Sequence, residues 1–129
     1  KAAKIILGFI EAKPGNSAAL AKLGFYEKNL KHPEKALYWF KKALSSSPDF
    51  EWAHVQQIGI LLNTEREDEA ENALNDFLKL KPNSEWALLE LSQLKLKQEH
   101  FAEAEELLEK NLANLIYLPF LIIYHFPPF

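Results

Sequence analysis

The chain has no cysteine, no methionine and only four glycines, and no charged residue lies between Asn111 and Phe129. Without cysteine there is no disulfide framework, no thiolate metal site and no cysteine nucleophile. That leaves the compartment open between cytoplasm and periplasm. Glycines only at positions 8, 15, 24 and 59 leave no glycine-rich loop to cradle a phosphate. A start at Lys1, with no initiator methionine and no leader, reads as a segment of something longer. No stretch alternates with period two, so no strand is expected. The apolar run at the end is broken by Pro119, Pro127 and Pro128 and falls short of the roughly 20 residues of a spanning helix, so membrane contact through it is not expected.

What is present is an ordinary folded-domain composition: 129 residues, 48% hydrophobic, 26% charged and 12% aromatic. Disorder and collagen are excluded. The net charge of −3 conceals an asymmetry, because residues 1–48 carry nine lysines against three glutamates, and residues 49–129 carry −9. The lysines are dispersed, no arginine precedes Arg66, and there is no basic run, so nucleic acid is not expected as a partner.

A repeat dominates the pattern. Pro14, Pro48 and Pro82 are 34 residues apart, and the same offset aligns Ala2, Ala36, Ala70 and Ala104, then Ile6, Phe40, Leu74 and Leu108, then Ile10, Leu44, Leu78 and Leu112. Apolar positions at i, i+4 and i+8 form one stripe of a helix, and alanine at its start permits close approach of a neighbour. Each unit also breaks midway, at Lys31-His32-Pro33, Asn63-Thr64-Glu65 and Gln98-Glu99-His100. The acidic run from Glu65 to Glu71 and the pair Ser84-Glu85 suit helix starts. Seven helices are predicted, over 1–12, 17–30, 34–46, 51–63, 67–80, 85–97 and 101–115. His54 and Gln57 stand where the other units have leucine, and are expected to hydrogen-bond at a helix seam to each other or to backbone, contact with a ligand being the alternative.

The series Leu20, Leu23-Gly24, Ala36, Phe40, Ala43 and Pro48 resembles the tetratricopeptide repeat (TPR). The resemblance covers residues 1 to about 114 and implies an all-α, right-handed α-solenoid of antiparallel helix pairs. It divides the chain into 1–16 (second helix of a truncated repeat), 17–50, 51–84, 85–116, and a hydrophobic non-repeat tail at 117–129. For the tail, a cap, a self-association segment, the edge of a membrane-associated segment and a non-native extension are the alternatives.

No catalytic constellation is visible: there is no G-x-S-x-G, no H-E-x-x-H and no calcium loop. His32 and His100 lie two repeat periods apart, about 20 Å at about 10 Å per helix layer, too far to share a metal. The acidic run lacks the alternating ligands of a calcium loop. No enzyme activity, metal or cofactor is expected.

The resemblance further implies a concave groove lined by the first helix of each repeat. The carried-over positions are Ala18, Ala21, Lys22, Phe25, Lys28 and Asn29, then Trp52, Val55, Gln56, Gly59 and Asn63, then Trp86, Leu89, Glu90, Gln93 and Lys97. Trp52 and Trp86 are 34 apart, hence on one face, either anchoring a peptide or plugging the junctions between repeats. The candidate partner site is Lys22, Phe25, Asn29, Trp52, Val55, Gln56, Trp86, Leu89 and Gln93, binding a peptide or partner helix. Members of the family that hold a chaperone's C-terminal carboxylate use lysine, asparagine and arginine where this chain has Ala21, Phe25, Gln56, Trp86 and Glu90. That clamp is absent, and no chaperone tail is expected. The rival reading is a structural or self-assembly arm of a larger assembly factor or enzyme, forming homo-oligomers through its ends or tail.

Overall fold

The structure, a computed structural model, describes the backbone of residues 1–125 and the side chains of residues 1–113. Among the described residues there are seven helices and no strand: α1 (Ala2–Ala12), α2 (Ser17–Asn29), α3 (Pro33–Ser46), α4 (Glu51–Asn63), α5 (Glu67–Leu80), α6 (Glu85–Lys97) and α7 (Phe101–His125). The helix boundaries follow the sequence pattern except in α7, which runs ten residues past the predicted end and through Pro119. A proline in a helix interior removes one amide donor, and the backbone is helical on both sides of it. The roles considered for the tail depend on side chains outside the described residues. Among the described residues, no helix is long and apolar enough to cross a membrane.

The 34-residue period is written into the backbone hydrogen bonds. At each proline turn an amide closes onto the carbonyl three residues back, Asn16 to Lys13, Phe50 to Ser47 and Ser84 to Lys81, all at 3.1 Å. Asn16 then caps α2 by accepting from the Ala19 amide at 2.8 Å, and Ser84 caps α6 by accepting from Ala87 at 3.3 Å. At the mid-unit turns Lys31, Glu65 and Glu99 have φ of 63°, 57° and 62°. Each is the left-handed residue that ends a helix. In the first turn the His32 amide reaches Glu27 and the Lys31 amide reaches Lys28, and the other two repeat this pairing.

The chain forms two compact units, Lys1–Ala73 and Leu74–Phe129, parting within α5. In the first, α2 packs on α1, α3 and α4, and α3 on α4. Its core gathers Leu20, Ala21, Ala36, Leu37, Phe40, Ala43, Ala53, Ile60, Leu61 and Ala70. Gly24 is the tightest point: a Cβ there would meet three atoms of the fully buried Phe40 ring at 3.1 Å. In the second unit α6 packs on α7, burying Leu88, Leu91 and Ala104. Lys95, nearly buried on α6, donates to Glu103 of α7 at 2.8 Å. That hydrogen bond and the ammonium charge hold the Glu103 carboxyl below the usual carboxylate range against opposing desolvation, with a smaller pull from His100.

Three outcomes are expected. Gly24→Ala should lower stability by about 1 kcal/mol, overpacking of about 2 kcal/mol outweighing the helix-propensity gain of about 1 kcal/mol; a urea midpoint that is unchanged or raised would show that Phe40 can shift. Glu65→Gly should raise stability by about 0.5–1 kcal/mol, because glycine accepts positive φ without the Cβ clash, and the same titration measures it. Because Glu103 titrates lower folded than unfolded, its contribution is present above the unfolded pKa and lost as pH falls through the folded one. Glu103→Gln should therefore be less stable than the parent chain at neutral pH, with the difference closing in acid; a deficit constant with pH would refute the linkage.

Candidate functional site

The predicted groove positions fall on α2 and α4 in the first unit and on α6 in the second, and each set is described within its own unit. On α2, Lys22, Phe25 and Asn29 recur every three to four residues, so they share one face. All three are exposed, Phe25 by 37%. Ala18 is exposed as well, whereas Ala21, also carried over as a groove position, is fully buried. It belongs to the core, where its small side chain lets α2 approach its neighbours.

Trp52 joins this face to the interior. Its ring lies 5.6 Å from Phe25, edge-on to Phe40 at 6.0 Å and 6.1 Å from Phe50. Trp52 thus packs against the core and also borders the exposed Phe25. The Lys28 ammonium donates to Gln56 Oε1 at 2.7 Å and lies 5.7 Å from the centre of the Phe25 ring. Phe25, Lys28, Trp52 and Gln56 thus form one cluster between α2 and α4. Val55 and Gly59 are half-buried on α4, and Asn63 is exposed at its end. A cavity of about 410 Å³ opens where α2 and α4 end, bordered by Lys28, Lys31, Pro33, Ile60, Asn63 and Thr64.

On α6 of the second unit, Trp86 is half-buried and meets Phe77 edge-on at 5.8 Å, while Leu89 (41% exposed) and Gln93 face outward. Glu90 is half-buried and Lys97 exposed. The partner ring has moved by one turn between the two repeats. Phe40 and Ala43 of α3 correspond to Leu74 and Phe77 of α5, and each tryptophan meets the aromatic that its unit supplies.

His54 behaves as expected of a seam residue: its Nε2 donates to the Pro48 carbonyl at 2.7 Å, tying α4 to the turn before it. The sequence reading missed two features. Lys31 borders the terminal cavity from a turn whose residues lie about 30 positions from Ile60 and Thr64, and nothing local signals that meeting. Arg66 makes a two-pronged contact with Glu69, Nε to Oε1 and Nη2 to Oε2, both 2.9 Å, and donates also to Glu34 of α3. The hydrogen bond from Arg66 is the main cause of a Glu69 carboxyl held below its ordinary range, with attraction from Arg66 and Lys41 added, against the opposing effect of burial. The acidic run had shown only a helix start. Among the described residues no group of three or more His, Cys, Asp or Glu is placed to hold a metal ion.

No family model matches this sequence. No curated protein matches it either. Solved structures do. A crystal structure of MamA, 20% identical, matches 88% of this chain and 66% of its own with a TM-score of 0.74. MamA from Desulfovibrio magneticus, 18% identical, matches 88% of this chain and 64% of its own with a TM-score of 0.72. A tetratricopeptide repeat protein from Parabacteroides merdae, 21% identical, matches 86% of this chain and 44% of its own with a TM-score of 0.78. The chain spans about two thirds of the length of the MamA chains and less than half of the Parabacteroides protein. With seven helices among the described residues, turns repeating every 34 residues and these structural neighbours, the chain has the tetratricopeptide-repeat fold.

Proposed function

We propose that this chain is a non-enzymatic scaffold that binds a peptide or helix of a protein partner on the face formed by α2 and α4, through Lys22, Phe25, Asn29, Trp52, Val55 and Gln56. The supporting observation is Phe25. A large aromatic, 37% exposed, rests on Trp52 and is bordered by polar side chains able to hydrogen-bond. Such an apolar centre with a polar rim is how a few residues carry most of a binding energy. Trp86, Leu89 and Gln93 form a second strip of similar chemistry on α6, proposed as a further contact of the same kind.

Phe25 tests this reading better than either tryptophan, because Trp52 and Trp86 also hold their units together. Phe25→Ala should keep the helical circular dichroism of the parent chain and reduce capture of its partner from a native lysate about tenfold, the loss expected of an interface anchor. Equal capture by the two proteins would remove the α2–α4 face from consideration.

A further inference from the structure

On α1 a stripe of five residues, Ala2, Ile5, Gly8, Phe9 and Ala12, runs along one side of the helix, and every one of them is exposed, Ile5 by 67% and Phe9 by 45%. On the other side Ala3, Ile6 and Ile10 are half-buried, and Ile10 packs against the core. The repeat register shows what the stripe is shaped for. Ala2 and Phe9 stand where α3 has Ala36 and Ala43, α5 has Ala70 and Phe77, and α7 has Ala104 and Asn111, and all six of those residues are buried. In α3 and α7 the packed neighbour is the preceding helix, α2 or α6. The cover that fits this register is therefore a helix. Gly8 widens the stripe, because the other repeats place Lys42, Asp76 and Lys110 at its register, all exposed, and a Cβ at Gly8 would meet nothing within 4 Å. A repeat helix that faces water carries polar residues there, and α1 does not. Small residues on either side of Ile5 and Phe9 leave grooves into which another helix can set its side chains.

The same chain has a helical segment suited to those grooves. α7 is 25 residues long against 13 for α6, on which it packs, so its second half outruns its neighbour. Residues 114–125 are helical, nine of the twelve are aliphatic or aromatic, and none is Asp, Glu, Lys or Arg. A helix of that composition calls for burial on more than one side. The segment is about 18 Å long and α1 about 16 Å, so one can lie along the other over its whole length. Charge on the flanks agrees, with Lys4 and Lys13 on α1 and exposed Glu105, Glu106 and Glu109 just before the segment. We infer that the stripe on α1 is an interface with a second copy of this chain, whose α7 residues 114–125 lie along Ala2, Ile5, Gly8, Phe9 and Ala12. The two surfaces differ, so each copy keeps one of each for its neighbours, and the contact runs from copy to copy instead of pairing like with like. It uses none of the residues of the α2–α4 face and does not depend on the function proposed there.

The test is the mass of the chain in solution over a concentration series, by sedimentation equilibrium. The parent chain should grow past the dimer as concentration rises. Ile5→Lys with Phe9→Lys should stay monomeric and keep the helical circular dichroism of the parent, since both residues are exposed. The chain shortened by residues 117–129 should also stay monomeric, and Leu121→Glu with Ile122→Glu should give the same result without a deletion. Mixed together, the lysine variant and the shortened chain should form a dimer and nothing larger, because one intact pair of surfaces remains between them. Leu7→Lys, exposed on α1 outside the stripe, is the control and should assemble as the parent does. A parent that is monomeric throughout overturns the inference, whether or not it binds lipid vesicles. Assembly of the shortened chain would mean that α1 meets α1, and assembly of the lysine variant that segment meets segment; either result overturns it. So does a mixture that stays monomeric, or loss of assembly in Leu7→Lys.

Discussion

Phe40 enters the seam between α2 and α3 because residue 24 has no side chain, and the placement of much else in the first unit follows from that contact. The ring is fully buried and meets Trp52 edge-on. Trp52, held there, lies beside Phe25, and the Phe25 ring in turn has the Lys28 ammonium over it while that ammonium reaches Gln56. A close approach inside the core is thus transmitted through three rings to the surface. The exposed Phe25 ring thus rests on a side chain packed against the core.

Two kinds of turn impose the period on this packing. The proline turn starts the first helix of each repeat, and the left-handed residue at 31, 65 or 99 ends it, so helices of nearly equal length recur at a fixed interval. Within that frame, side chains vary while the backbone does not. Asn16 and Ser84 cap their helices by hydrogen bonds, whereas Phe50 occupies the same place in the second repeat and packs against Trp52 instead. A local polar interaction has been replaced by burial, at no change in the turn.

Charge is arranged with similar economy. Lys95–Glu103 and Arg66–Glu69–Glu34 join neighbouring helices within a unit, so their carboxylates are committed to the fold. Among the described residues the α2 lysines Lys22 and Lys28 make no ion pair and take no part in these links. A repeat fold lends itself to such division of labour, because each unit needs only its neighbours for its core and the rest of the surface is free to change.

The period of 34, the helix positions and the two turns per repeat were legible in the sequence because they depend on local chemistry: proline fixing φ, apolar stripes at helical spacing, polar caps and acidic first turns. The outward Lys22, Phe25 and Asn29 came from the resemblance to the tetratricopeptide repeat, which carried Ala21 over with them. Ala21 does not face outward, since its burial depends on how closely three helices approach. The continuation of α7 through Pro119 likewise depended on more than one unfavourable residue. The Lys28–Gln56 bond, the aromatic chain from Phe40 to Phe25, the Arg66 network and the cavity at Lys31 join residues from about 12 to about 32 positions apart, each unremarkable in its own segment. Sequence periodicity determined which elements form and where the chain turns between them. Only tertiary packing decided which of them meet, because such contacts depend on the separation of neighbouring helices, and that separation is set by side-chain volume at points such as Gly24 and Ala21 rather than by the spacing of residues along the chain.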